Sequence, residues 1–137
     1  MSDNTDQPIQ FTEVKGTDEQ EKFTTGAVRG TQAGKGRFDL IPAYPLLRLA
    51  QHYENGAIRY GDENWTKGMP LRRCLDSMLR HANAVKMGLH DEDHLSAVVF
   101  NAFCIVYYEE MIRQGKLPKE LDNLGWVQEK QDVKASV

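Results

Sequence analysis

The sequence has few cysteines, no long apolar run and no excess of positive charge. Cys74 and Cys104 are the only cysteines among 137 residues, too few for a disulfide framework or a cysteine-based zinc site, so we expect both to be small buried apolar side chains. The longest apolar run, Ala102 to Tyr108, is far shorter than the roughly 20 residues that a membrane span needs. Seventeen basic residues against 20 acidic ones argue against a nucleic-acid coat protein.

Charge is distributed unevenly along the chain. Residues 1–22 hold six acidic and two basic residues, residues 23–75 hold four and eight, and residues 76–137 hold ten and seven. The first ten residues, MSDNTDQPIQ, are polar and acidic, unlike a secretory signal. We therefore expect a cytoplasmic protein with a flexible acidic segment over 1–22, one all-α catalytic domain over 23–127 and a charged tail over 128–137.

The hydrophobic periodicity predicts three helices and no strand. Apolar residues recur at helical spacing over 43–60 and 70–87, and a third segment that opens at Asp91–His94 and runs to about 114 is apolar on nearly every side. A short helical or irregular piece is expected around 117–127. The fold class is therefore an all-α bundle. Because the third helix is too apolar for three helices to cover, we also expect a homo-oligomer, a dimer or a tetramer.

Carboxylates and imidazoles on the three helices suggest a metal site. Glu54, Asp76, Asp93 and His94 come from different helices, with His81 nearby. Converging side chains of these types are how helical bundles hold divalent ions, and an oxygen-rich set suits Mg²⁺ or Mn²⁺. Instead of binding a metal, Asp76 could form ion pairs at the surface, and His81 could be a hydrogen-bonded residue of the core.

Two further features are compatible with phosphate and base recognition. The glycine-rich segment 26–37 is basic, so its backbone N–H groups and cations could hold a phosphate, and a flexible linker is the alternative interpretation. His94, Asn101 and Tyr108 form a polar seam on the apolar third helix, which is either a hydrogen bond between helices or the lining of a pocket. A metal together with phosphate suggests hydrolysis of a phosphoanhydride.

The chain contains the short motifs 34–42 (GKGRFDLIP), 53–61 (YENGAIRYG), Asn64-Trp65, Leu75-Asp76, Arg80-His81, 91–95 (DEDHL) and Phe100-Asn101. Together they resemble the phage dATP/dGTP diphosphohydrolase family over roughly residues 26–110. The resemblance implies a MazG-like all-α fold and hydrolysis of dGTP, and also of GTP, to the monophosphate and pyrophosphate. The nearest members serve phages that replace adenine with 2-aminoadenine in their DNA.

The resemblance also implies roles for individual residues, although the E-x-x-E and E-x-x-D pairs of MazG-like enzymes are missing here. We expect Glu54 and Asp93, then Asp76 and His94, to bind Mg²⁺ or Mn²⁺, with Glu92 as a substitute for Asp93. Glu54 and His81 are the expected catalytic residues. The expected substrate contacts are Lys35, Arg37, Arg59 and Arg80 for the triphosphate, Trp65 for stacking on the base, and Asn64 and Asn101 for its edge.

Two alternatives remain open at this point. One is a helical module that binds nucleic acid or a protein without catalysis. The other is a pyrophosphohydrolase of different purine specificity, for example for dATP. A membrane or nucleic-acid partner is not expected.

Overall fold

Three α-helices make up about half of the described chain, residues 19–129 of a computed structural model. They are α1 (Ala43–Tyr60), α2 (Leu71–Lys86) and α3 (His94–Arg113), and single turns of 3₁₀-helix lie at Phe38–Leu40, Trp65–Lys67 and Lys119–Leu121. The predicted all-α class and the three predicted helices are confirmed. The ends follow local signals: α2 begins after Pro70, and glycines with positive φ follow α1 and α2 closely at Gly61 and Gly88.

A small hairpin corrects the expectation that no strand is present. Strands β1 (Gln20–Lys22) and β2 (Val28–Gly30) pair antiparallel, with Glu21 opposite Arg29. Both strands are fully exposed, so they show no alternation of apolar and polar residues that could predict them. The connecting turn depends on Gly26, whose φ is 90°.

The chain divides into two compact units, Met1–Pro42 and Ala43–Val137. The hairpin and the basic glycine-rich segment belong to the first unit, and the three α-helices belong to the second. Most of the predicted acidic segment, residues 1–18, and most of the predicted charged tail, residues 130–137, lie outside the described residues.

The core of the second unit lies between α2 and α3. Its buried side chains are Leu71, Cys74, Cys104, Tyr108 and Ile112. Both cysteines are free thiols at most 2% exposed, as expected from the sequence. The hydroxyl of Tyr108 donates to the backbone oxygen of Trp65 at 2.5 Å, which ties α3 to the connection between α1 and α2.

The segment after α3 returns to the start of α2. Leu117, Leu121 and Val127 pack on the core, and the amide N–H of Arg72 donates to Asn123 Oδ1 at 2.9 Å. A Cβ at Gly68 would lie only 2.8 Å from the Cδ1 of Leu121, and φ there is 97°, so this position requires glycine.

α3 is apolar on two opposite sides. One side carries the buried residues that face the core, and the other carries Leu95, Val99, Phe103 and Val106, which are 40–64% exposed. By length and composition alone, α3 is the one helix of residues 19–129 that could cross a membrane. A central helix of a bundle passes the same test, and α3 has His94, Ser96 and Asn101 among its buried residues.

Candidate active site

Two histidines and a glutamate meet at the end of the bundle where α2 ends and α3 begins. The Nδ1 atoms of His81 on α2 and His94 on α3 are 2.9 Å apart. Glu92, in the loop before α3, places its Oε1 at 3.2 Å from the first Nδ1 and 3.6 Å from the second. Within residues 19–129, these three form the one group of three or more His, Cys, Asp or Glu side chains close enough to hold a metal ion.

One hydrogen bond of this cluster has a fixed direction. His94 Nε2 lies 2.7 Å from Asp91 Oδ1, and because a carboxylate only accepts, the imidazole donates there. This hydrogen bond holds the pKa of Asp91 below its usual value. His94 Nδ1 faces His81 Nδ1, and a ring that carries its single hydrogen on Nε2 accepts at Nδ1. Burial lowers the pKa of His81, which keeps that ring neutral near pH 7.

The third acid of the loop faces away from the cluster. Asp93 caps α3, where it accepts from the backbone N–H of Ser96 at 3.2 Å, and it forms a bidentate pair with Arg48 of α1 at 2.5 and 3.0 Å. The hydrogen bonds from Arg48 hold the pKa of Asp93 well below its usual range. Asp93 is therefore engaged in joining α1 to α3.

A cavity of about 560 Å³ opens beside the cluster. Six of the expected site residues line it: Arg59, Asn64, Trp65, Arg80, His81 and Asn101. Glu92 lines it as well, so the cavity joins cations, an aromatic ring, amides and the histidine–glutamate cluster. A pocket with a few convergent polar groups is the expected form of a small-molecule site.

Asn101 of α3 is a buried polar residue in the wall of the cavity. Asn101 is 7% exposed, and its Nδ2 donates to the backbone oxygen of Ala97 at 2.8 Å and to Ser77 Oγ at 3.4 Å. Both hydrogens of the amide are therefore used within the protein. No described residue donates to Oδ1, so the carbonyl oxygen is the free hydrogen-bonding group of this buried side chain.

Aromatic rings form the adjoining wall. Trp65 packs edge-on against Tyr53 and Tyr107, with centroids 5.8 and 4.9 Å apart, and Phe100 packs between His52 and Tyr53. The indole of Trp65 is thus held by neighbours while it lines the cavity.

The expected set of four metal ligands is not brought together. Only His94 belongs to the cluster, since Asp93 pairs with Arg48, and Asp76 is 71% exposed and pairs with Arg73 at 3.3 Å. Glu54 is exposed on α1 and lines a neighbouring cavity of about 350 Å³ with Asn64 and Trp65.

Two expected triphosphate contacts belong to the first unit. Lys35 follows the hairpin, and Arg37 forms a bidentate pair with Asp39 at 2.8 Å, with both side chains about half exposed.

The sequence interpretation missed His52, Arg73 and Asp91. His52 lies on the polar side of α1 and lines the cavity, where burial lowers its pKa although Asp93 and Glu92 oppose the shift. Arg73 lies within helical spacing of Arg80 and lines the same cavity, so the phase of α2 could have indicated it. Nothing in the sequence indicates which of the acids at 91–93 meets the histidines.

Comparison with known proteins gives one match. Residues 25–117, 93 of the 137 residues, match the family model described as "dATP/dGTP diphosphohydrolase, N-terminal". This range includes all three helices and every residue of the cluster and cavity described above. No significant match is found among curated proteins or among solved structures.

Proposed function

Because the chain belongs to the dATP/dGTP diphosphohydrolase family, a family of hydrolases that act on nucleotides, we propose that it converts dGTP, and GTP as a second substrate, to the monophosphate and pyrophosphate. The observation that carries this proposal is the cavity of about 560 Å³, in which cations, aromatic rings and amides adjoin the histidine–glutamate cluster. Membership of a hydrolase family removes the alternative of a non-catalytic helical module.

The cluster has the chemistry of a divalent metal centre. His81 and His94 would offer their converging Nδ1 atoms, and Glu92 would offer a carboxylate oxygen. The hydrogen bond from His94 Nε2 to Asp91 is the second contact that metal-bound histidines usually make. Two imidazoles and one carboxylate suit Mn²⁺ better than Mg²⁺. A bound cation would neutralise charge on the phosphoryl oxygens.

The cations of the cavity fit phosphate oxygens of the substrate. Arg59, Arg73 and Arg80 line it, and guanidinium groups form paired hydrogen bonds with phosphate oxygens. Trp65 offers an aromatic ring to the base.

The base edge is assigned to Asn101. Its free Oδ1 accepts a hydrogen bond, and guanine offers N1–H and N2–H₂ as donors on one edge, whereas adenine lacks the N2 amine. Asn101 lies seven residues, or about 10 Å of helix, from His94. That separation is comparable with the length of a nucleotide between its base and its α-phosphate.

The proposed step is hydrolysis at the α-phosphorus. The water oxygen bonds to this atom while the bond to the bridging oxygen breaks, and pyrophosphate leaves with the electron pair. His52 takes one proton of the water, because its lowered pKa keeps it neutral near pH 7 and no described residue forms a hydrogen bond with its ring. In a phage, dGMP from this reaction would supply the synthesis of a 2-aminoadenine deoxynucleotide in the host cytoplasm.

The test compares purified protein with dGTP, GTP, dATP and dTTP in the presence of Mn²⁺ or Mg²⁺, with the products separated by chromatography. We expect dGMP and pyrophosphate, and a kcat/KM for dGTP at least about tenfold above that for dATP, since an unpaired buried group costs about 1–3 kcal/mol. Asn101→Ala should reduce this ratio, whereas Asn83→Ala, the same change on the exposed side of α2, should leave it unchanged. Equal turnover of dATP, or an unchanged ratio in Asn101→Ala, would contradict the guanine assignment.

A further inference from the structure

A row of hydrogen-bond donors runs along one side of α1. Arg48, Gln51, His52, Asn55 and Arg59 follow the i, i+3, i+4, i+7, i+11 spacing that places side chains on one face of a helix. We name these five residues the α1 donor row. It contains no carboxylate, although Glu54 lies on the same helix at a different phase.

The α1 donor row lines a second cavity of about 260 Å³. Glu92 and Asp93 complete its lining. This cavity shares His52, Arg59 and Glu92 with the larger one, so the two cavities adjoin at the histidine–glutamate cluster. A ligand that extends past Glu92 from the larger cavity would therefore enter the smaller one.

The smaller cavity is lined by two guanidinium groups and two carboxylates, and one of the two cations is free to contact an anion. Asp93 is neutralised by its bidentate pair with Arg48. Arg59 forms no ion pair with any described residue, and its guanidinium carbon lies 5.4 Å from the ring centroid of Tyr60. Glu92, the remaining acid, has its carboxylate directed to His81 at 3.2 Å.

Two side-chain amides of the α1 donor row have free hydrogen-bond donors. Among residues 19–129, nothing forms a hydrogen bond with the side-chain amide of Gln51 or Asn55. Amide and guanidinium donors on one rigid helix match the several acceptor oxygens of a phosphate chain.

We propose that the α1 donor row is the subsite for the leaving pyrophosphate, which holds the β- and γ-phosphates of the substrate. This inference rests on the proposed function, since it assigns the two ends of one substrate to two adjoining cavities. The nucleoside occupies the larger cavity, the α-phosphate lies beside the histidine–glutamate cluster, and the diphosphate end extends along α1. His52 lines both cavities and lies at their junction.

The experiment measures the binding of each product separately. The full chain is titrated with inorganic pyrophosphate and, in a second series, with dGMP, by calorimetry in a buffer with Mn²⁺. The variant Asn55→Leu removes one donor of the α1 donor row at an exposed position, and Gln51→Leu is a second, independent variant. Asn83→Leu is the matched control, because it makes the same change at an exposed position of α2.

We expect Asn55→Leu to weaken pyrophosphate binding about tenfold, as the loss of a hydrogen bond to a charged ligand predicts, and to leave dGMP binding within about twofold of the original. Gln51→Leu should act in the same direction, and Asn83→Leu should change neither. Unchanged pyrophosphate binding in both α1 variants, or equal weakening of both products, would overturn the subsite.

The subsite and the proposed function can fail independently. If the chain hydrolyses dGTP but the α1 variants bind pyrophosphate normally, the subsite is wrong and the function stands. If pyrophosphate binding depends on Asn55 but no nucleoside triphosphate is hydrolysed, the anion site stands and the proposed reaction is wrong.

Discussion

At the scale of single residues, three consecutive acids before α3 have three different partners. Asp91 accepts from His94, Glu92 approaches both imidazoles, and Asp93 pairs with Arg48. One carboxylate orients a histidine, the next is available to a metal, and the third joins two helices. The backbone path of one short loop therefore gives three carboxylates three different roles.

This division predicts different effects for Glu92 and Glu54. Glu92→Gln removes the only carboxylate of the proposed metal centre, so hydrolysis and Mn²⁺ affinity should both fall at least about tenfold. Glu54→Gln should cost less, because its carboxylate lines the neighbouring cavity. The measurements are kcat/KM for dGTP and a Mn²⁺ titration, together with loss of activity in EDTA and its recovery with Mn²⁺.

Glu120→Gln, an equivalent change at an exposed position after α3, is the control and should match the unaltered protein. A larger loss of activity and Mn²⁺ affinity in Glu54→Gln than in Glu92→Gln would indicate that the metal binds at Glu54. Full turnover in EDTA would exclude a metal-dependent reaction.

The site could be predicted only in part from the sequence. Residue types and helical phase placed His81, His94, Asn101, Arg59 and Arg80 among the expected site residues, because a regular helix fixes which side chains share a face. They gave Glu92 only as a substitute for Asp93, because the direction of a side chain in a loop depends on the backbone angles of that loop. Asp93 was expected to bind metal, but it fits the α3 N-cap, where an aspartate accepts from the first free backbone N–H groups.

At the scale of elements, the start of α3 depends on Asp93. Asp93→Ala removes both the cap and the partner of Arg48, so the free energy of unfolding should fall by about 1–2 kcal/mol. Asp93→Asn keeps a capping side chain and loses the charge, so it should cost less. Chemical denaturation with circular dichroism measures both, and Asp76→Asn, at a 71% exposed pair, should change stability by less than about 0.5 kcal/mol.

The same residue makes stability depend on pH. Because Arg48 lowers the pKa of Asp93 in the folded protein, the contribution of this pair is fully present above the unfolded pKa of about 3.9 and is lost as the pH falls towards the folded value. The difference in unfolding free energy between the original protein and Asp93→Asn should therefore shrink below about pH 4. A constant difference between pH 7 and pH 3 would contradict this account.

The helices were predictable because several local signals agree. Pro70 before α2, the glycines after α1 and α2, and Asp93 before α3 mark boundaries that coincide with the apolar periodicity. The hairpin lacks such agreement, because three-residue exposed strands bury nothing and leave no pattern in the sequence.

At the scale of the whole molecule, the outward side of α3 suggests self-association. Leu95, Val99, Phe103 and Val106 form an exposed apolar stripe, which is typical of a surface covered by another chain. We propose a homo-oligomer and expect sedimentation at micromolar concentration to give a mass above the 15.6 kDa of one chain. Phe103→Glu should shift the distribution towards the monomer.

Leu79→Glu is the matched control, since Leu79 is 59% exposed on α2 and lies outside the stripe. A monomer at micromolar concentration, or equal effects of the two substitutions, would contradict an interface on this side of α3.

The two buried thiols can be used to measure how often the packed helices α2 and α3 separate. Cys74 and Cys104 are almost inaccessible, and burial raises the pKa of Cys104 to about 12, so neither accessible sulfur nor reactive thiolate is available while α2 and α3 stay packed. Cys74 also lines the larger cavity, so Cys104, which is 0% exposed, is the thiol that an alkylating reagent reaches only in molecules whose helices have separated. The rate of modification therefore measures how often the helices separate. A compound that binds the packed helices slows the modification, so ligands can be screened by this rate before a substrate is known.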